Sequence, residues 1–315
     1  MADGKWITDL RGTTPLVDAA RRVLAVRLEV VHEVLPLALH HWKEDPEHIH
    51  QLRVGTRRAG AALAIFGLCL PAKVAKRVGK HLRRLRRAAG AARDWDVLGC
   101  SLMEREKSAT AGQRQGLDFL VGYFHGQRVA AHSALQAVGA NAPFDFERLV
   151  AETLGAVQKP VCDPPLHVLG DLARPWLGDI LRTLHVAASG KLDQYEHLHQ
   201  VRILGKHLRY GMEVFAAGFD PAFKECHYPQ IEEMQEILGQ ANDSHVAVQR
   251  LAELRELLRL SRPAQWKRFQ QGIDAVLRYH QRRLPVQRRT FLKWWSRWVK
   301  SGTESGLVGM IHTPA

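Results

Sequence analysis

Residues 47–54 read EHIHQLRV, and residues 196–203 read EHLHQVRI. The two stretches lie 149 positions apart (Glu47 and Glu196), and the offset persists beyond them. At that spacing Arg57 meets Lys206, Phe66 meets Phe215 and Gly90 meets Gly239. Arg93-Asp94-Trp95-Asp96-Val97 then meets Asn242-Asp243-Ser244-His245-Val246. From His50 to Asp94, and from His199 to Asp243, the separation is 44 residues in both cases. Self-similarity at a fixed period marks a repeat. Prolines gather between 140 and 165, which puts the boundary there. Repeat one then covers about 14–140 and repeat two about 163–300, as one domain over 10–300. Residues 301–315 are left as a C-terminal tail.

Outward from these stretches the periodicity is helical, with no run of alternating strand residues. Helices are expected near 15–42, 46–70, 72–98, 113–138, 145–158, 166–188, 192–218, 221–240, 243–260 and 263–300, the last interrupted by Pro285. Several starts read as an N-cap followed by proline at the first helical position. About four helices per repeat suit a helical bundle. The expected fold is all-α: two tandem four-helix bundles related by pseudo-twofold symmetry.

At 100° per residue, Leu52, Ala59, Leu63, Phe66 and Leu70 form an apolar face. His50, Arg53 and Arg57 lie nearly opposite, with Arg58 at the flank. His199, Arg202, Lys206 and Arg209 form the same stripe in repeat two, followed by Tyr210, which reads equally as a core residue or a hydroxyl donor. In the next helix Val78, Leu82, Leu85 and Ala89 make a core face against Lys73, Lys76, Lys80, Arg83, Arg84 and Arg87. From His48 to Arg93 there are 12 Lys or Arg and no Asp or Glu. A solvated helix face ordinarily mixes signs. A face of one sign repels itself unless an anion neutralises it. The formal net charge of +13 points the same way, towards nucleic acid, a membrane surface or a free polyanion. The helix expected at 221–240 carries Glu225, Glu232, Glu233 and Glu236 instead, so repeat one is expected to supply more of the binding energy.

The remaining candidates read as structural. Trp294, Trp295 and Trp298, in a basic last helix, are packing anchors rather than base-stacking platforms. Asp94 and Asp96 form a D-x-D that reads as a helix cap or ion-pair partner before it reads as a magnesium site. His48 and His50 point about 200° apart on a helix and cannot share a metal. No phosphate loop, catalytic triad order or H-E-x-x-H is present. No metal, cofactor or catalytic residue is expected. The four cysteines (Cys69, Cys100, Cys162, Cys226) match no zinc or redox spacing and read as reduced and structural. Neither a signal-like apolar core nor a membrane-length apolar run occurs, so a cytoplasmic location is expected.

HQLRVGTRR at 50–58 with RDWDVL at 93–98, and HQVRILGKHLRY at 199–210 with NDSHVA at 242–247, resembles the CHAD family, the conserved-histidine alpha-helical domain. The resemblance runs from about residue 10 to 300, and it is to a stand-alone member without a strand-rich triphosphate-tunnel domain. It implies two four-helix bundles around a pseudo-twofold axis, with long helices lining a basic groove or pore. It also implies binding of inorganic polyphosphate without catalysis, often at polyphosphate granules. The family's histidine and basic positions fall on His50, Arg53, Arg57 and Arg58, and on His199, Arg202, Lys206, Arg209 and Tyr210. Gly60 stands where an arginine is usual, and His207 where a second basic residue is usual. Two other functions remain as alternatives: a nucleic-acid-binding module on the same surface, or a metal-dependent phosphoanhydride hydrolase using Asp94 and Asp96. Oligomeric state is not legible.

Overall fold

In the computed structural model, which describes residues 5–140 and 142–312, the periodic segments form ten α-helices and no strand among the described residues. They are α1 (Leu16–His40), α2 (Glu47–Ile65), α3 (Ala72–Glu106), α4 (Ala111–Gly139), α5 (Ala142–Gly155), α6 (Leu169–Ser189), α7 (Tyr195–Phe215), α8 (Tyr228–Ser261), α9 (Pro263–Lys300) and α10 (Thr303–His312). The all-α expectation holds. No helix among the described residues is long and apolar enough to cross a membrane.

Several boundaries differ from the sequence reading. Pro15, Pro46 and Pro71 occupy the N-cap position itself rather than the first helical position. At α2 the side chain of Asp45 still accepts a hydrogen bond from the Glu47 amide, so one orphan donor is satisfied from outside the cap. The helices expected at 221–240 and 243–260 are one: a π-turn at Phe223–His227 leads into α8, which runs unbroken to Ser261. Asn242 and Ser244, at the break expected between 240 and 243, are buried in mid-helix, and the Asn242 side chain accepts from the Tyr195 hydroxyl at 3.0 Å. A tertiary partner replaces the backbone amide that a cap would serve. In the same way α3 continues past 98 to Glu106, carrying Asp94 and Asp96 within the helix. The segment read as a tail forms α10, whose Leu307 and Ile311 are buried against α6 and α9.

Within the chain order, α1 packs on α2, α2 on α3 and α3 on α4; α6, α7, α8 and α9 follow the same succession. Across the repeats α2 meets α7, α3 meets α8 and α4 meets α9. The α4–α9 contact is close enough that a Cβ added to Gly116 would lie 2.7 Å from the Gly272 Cα. The apolar residues divide along the long helices rather than between the repeats. One core joins α1, α2, α5, α6, α7 and α10 with the first halves of α3 and α8 and the last parts of α4 and α9. A second, distal core is built from the far parts of α3, α4, α8 and α9, around Trp95, Leu120, Leu251 and Ile273. Trp294, Trp295 and Trp298 are buried in the first core, as their reading as packing anchors requires. Cys69 is buried, whereas Cys100, Cys162 and Cys226 are exposed and therefore not core residues; all four are free thiols.

Candidate anion-binding site

Helical spacing places His50, Arg53 and Arg57 on successive turns of α2, and His199, Arg202, Lys206 and Arg209 on successive turns of α7. Because α2 packs directly on α7, the two stripes face each other and their cations converge. All seven side chains are half-buried rather than solvated.

Lys206 feels this most. Burial first, then the charges of Arg202, Arg57, Arg53 and Arg209, push its pKa down from an ordinary 10.5 to about 5. It has no ion-pair partner among the described residues. Arg57 is lowered to about 10 by burial and by Arg53; the charge of Tyr210, with a hydrogen bond to its hydroxyl, and the charge of Arg202 act on it in opposite senses. Arg202 is lowered by burial, with Tyr195 and Asp243 opposing, and its Nε is buried without a hydrogen-bond partner. His50 and His199 are both lowered, by burial first. Glu47 works against that shift at His50 while Arg93 and Arg53 deepen it; at His199 it is Arg202 and Lys206 that deepen it. Like charges held together in a poorly hydrated cleft suppress one another's protonation. An anion placed among them would reverse each of these shifts.

Two carboxylates brace the cluster. Asp94, in the middle of α3, accepts from Arg53 Nη1 at 3.0 Å and lies 3.6 Å from Arg250 Nη2 of α8. It is an ion-pair partner, not a helix cap, and its partners are these two arginines rather than the adjacent Arg93. Glu213, near the end of α7, is wholly buried. It accepts from Arg58 through both oxygens (2.7 and 3.1 Å) and from the Tyr228 hydroxyl at 2.7 Å. Arg27 and Arg209 stand 3.7 and 3.6 Å from it. Arg58, expected as a ligand contact, therefore has its planar fork engaged by Glu213, which ties α2 to α7. Tyr210 is buried and carries the Arg209 guanidinium over its ring at 5.4 Å, so it acts as a wall of the cluster.

The stripe on α3 behaves differently. Lys73, Lys76, Lys80, Arg83, Arg84 and Arg87 are all exposed. Arg86, likewise exposed on α3, reaches the charge of Arg53; local desolvation, and then the charges of Arg83, Arg87 and Arg53, lower its pKa. Sequence reasoning passed over Arg86. Its signal was its place four residues after Leu82, on the shoulder of the core face that turns towards α2. Gly60 leaves open space, with nothing within 4 Å of where a Cβ would stand, and His207 is exposed beside Arg86.

Asp96 points away from Asp94. It is buried, its pKa raised by burial against the pull of Arg128, which donates to it at 2.5 Å. The two carboxylates of the D-x-D thus serve different arginines.

This fold and this site define a class: an all-α protein whose two facing helices, one from each repeat, gather more cations than carboxylates at their contact. A sequence model of the CHAD domain matches residues 23–252, and the chain belongs to the CHAD family. Among solved structures it is similar to the CHAD domain from the plant Ricinus communis, with 21% identity over 97% of this chain and 94% of that one and a TM-score of 0.69. It is also similar to PptA from Streptomyces chartreusis, with 19% identity over 90% of this chain and 100% of that one and a TM-score of 0.66. No curated protein matches the sequence.

Proposed function

We propose that the chain binds inorganic polyphosphate, without acting on it, in the cleft between α2 and α7. The observation that carries this reading is the convergence of Arg53, Arg57, Arg202, Lys206 and Arg209, half-buried where α2 packs on α7; burial first, and then the four arginines, push Lys206 down to about 5. A folded protein keeps such a cluster at a cost in stability, which a bound polyanion offsets. Phosphate oxygens spaced along a flexible chain can meet Arg53, Arg57, Arg202 and Lys206 at successive turns, and the guanidinium fork suits two oxygens at once. Residence in the cytoplasm, at polyphosphate granules, goes with this reading. The absence of chemistry is part of the proposal: Asp94 and Asp96 are engaged by arginines, which argues against their holding a catalytic cation. The three clustered tryptophans are buried, so they offer no platform on which successive nucleic-acid bases could stack.

The test is competition at about 0.15 M salt, where exposed charges are screened beyond roughly 8 Å. Labelled long-chain polyphosphate is displaced with unlabelled polyphosphate, single-stranded DNA or RNA. Displacement by polyphosphate alone at low concentration is the expected result. Equal displacement per phosphate by nucleic acid would make the cleft a general polyanion site and favour the nucleic-acid reading. Release of orthophosphate in the presence of magnesium would refute the non-catalytic part.

The same cluster sets a pH dependence. In the free protein Lys206 is neutral at pH 7, and polyphosphate raises its pKa towards 10.5. Binding therefore takes up a proton anywhere between those values. Affinity is expected to rise as pH falls from 8 to about 6, with His50 and His199 adding to the trend in the lower part of that range. Titrations at constant ionic strength, in buffers of different ionisation enthalpy, measure the proton uptake directly. An affinity that falls over that range contradicts the assignment.

A further inference from the structure

Beyond the α2–α7 cleft, the distal half of the molecule holds two adjoining cavities against α9. The larger, about 720 Å³, is walled by Arg105 of α3 and by Arg278, Arg282 and Arg283 of α9, and no carboxylate lines it. Tyr279 is clasped between two of these arginines. Arg105 lies 4.5 Å and Arg283 5.3 Å from its ring centre, and Arg283 also donates to its hydroxyl at 2.5 Å. Gln287, also in this wall, is 6% exposed, yet neither its amide oxygen nor its amide nitrogen has a hydrogen-bond partner. Buried amides are almost always paired, because an unmade bond leaves the whole desolvation cost standing. An unpaired donor and acceptor in an arginine wall offer a polar ligand both kinds of hydrogen bond beside the cations.

The smaller cavity, about 180 Å³, shares Tyr279, Arg283 and Gln240 with the first. Its character is different: Asp243 and Glu104 bring carboxylates, Val97 and Leu98 an apolar floor. His280 is buried here with Nε2 3.3 Å from the Ser101 hydroxyl and Nδ1 unpartnered; burial, Arg283 and Arg105 hold it near a pKa of 4, so it is a neutral imidazole.

We infer that the two cavities together form a second binding site, for a phosphorylated organic molecule of nucleotide size. Its phosphates lie against Arg105, Arg278, Arg282 and Arg283, and its hydroxyl- or amino-bearing body lies against Asp243 and Glu104. A bare polyphosphate chain has no donors to offer and is repelled by both carboxylates, so it does not account for the smaller cavity. Nor do the α2–α7 cations line either space. Asp243 lines the smaller cavity and also acts on Arg202, so a carboxylate borders the α2–α7 cations on this side.

The probes are magnesium-free ATP and sodium tripolyphosphate, compared by calorimetry at about 0.15 M salt. The protein carries Arg57→Ala and Arg202→Ala, so that the α2–α7 cleft contributes little. One ATP per chain is expected, bound at least about tenfold more tightly than tripolyphosphate, the difference that one well-placed polar contact to the body supplies. Adding Arg278→Ala and Arg282→Ala, both at exposed positions, should lower ATP affinity by about tenfold or more, the loss of one or two charge-assisted contacts. Gln287→Leu separates binding from structure: it should weaken ATP binding while raising the melting temperature of the free protein, because an unpaired amide is gone. Tripolyphosphate binding as well as ATP, or ATP binding indifferent to the α9 arginines and to Gln287, overturns the inference. Either result leaves the α2–α7 assignment untouched, since that site is tested by long-chain polyphosphate on the native protein.

Discussion

Replacing Glu213 with alanine is expected to destabilise the free protein by about 3–5 kcal/mol, the range for breaking a buried ion pair by removing one partner. Glu213 is the one carboxylate, completely buried, that faces Arg27 from α1, Arg58 from α2 and Arg209 from its own helix. Burial already pushes Arg27 down to about 10 against the attraction of Glu213. Burial also works against the charge on Arg58, yet the Glu213 hydrogen bond and charge outweigh it and raise its pKa. With the carboxylate gone, three guanidinium groups lose their counterion and the Tyr228 hydroxyl loses its acceptor. Glu213→Gln should recover part of the loss, since an amide can still accept from one arginine and from Tyr228 but carries no charge. The measurement is the urea midpoint at pH 7.5 with polyphosphate absent. A loss below about 1 kcal/mol would place Glu213 with exposed pairs, which contribute that little, and would remove it as the link between α2 and α7.

Paired truncation of Arg57 and Arg202 is expected to act in the opposite sense on stability and strongly on binding. These two arginines come from different repeats and feel each other's charge. Each also helps depress Lys206. Removing both relieves self-repulsion, so the free protein should melt no lower than the native chain, and Lys206 should recover part of its proton affinity. Polyphosphate affinity should fall by about a hundredfold, as the loss of two charge-assisted contacts implies. The slope of log affinity against log salt should shrink by about 1.4, on the basis of roughly 0.7 per phosphate neutralised on a single chain. The control is Lys73→Ala with Lys76→Ala and Lys80→Ala on α3, which are exposed and outside the cluster. If that triple change weakens binding as much as the pair does, the ligand runs along α3 and not between α2 and α7. The outcome also bears on the charge asymmetry read from the sequence. The exposed excess lies in repeat one, but the convergent cations include Arg202, Lys206 and Arg209 of repeat two.

Much of this architecture was legible because helical periodicity and internal repetition are local signals. The offset between EHIHQLRV and EHLHQVRI identifies two equivalent helices, and a 3.6-residue period separates Leu52, Ala59 and Leu63 from His50, Arg53 and Arg57 without knowledge of any neighbour. The all-α class follows, as does the choice of α2 and α7 as the helices that carry the basic stripes. What periodicity cannot report is which surface another helix will cover. The stripes look solvated in sequence, because a cation on the polar side of an amphipathic helix ordinarily faces water. Only the packing of α2 on α7 turns them inward. Burial, an effect of three dimensions, then converts a row of ordinary cations into a cluster in which the Lys206 pKa is pushed far below its usual value.

The same distinction explains the misread details. The break expected between 240 and 243 does not form, and Asn242 and Ser244 are buried within α8. Tyr195, 47 residues away, supplies the hydrogen bond that lets α8 run on. Arg58 sits on the flank of its stripe in sequence, and its role is decided by Glu213, 155 residues away. Sequence alone determined the helical class, the internal repetition and the one-sign basic stripes, because each is written in neighbours within a few turns. Tertiary structure decided which cations remain unpaired and which are spent on a carboxylate, because charge pairing falls off over a few ångströms and is blind to distance along the chain.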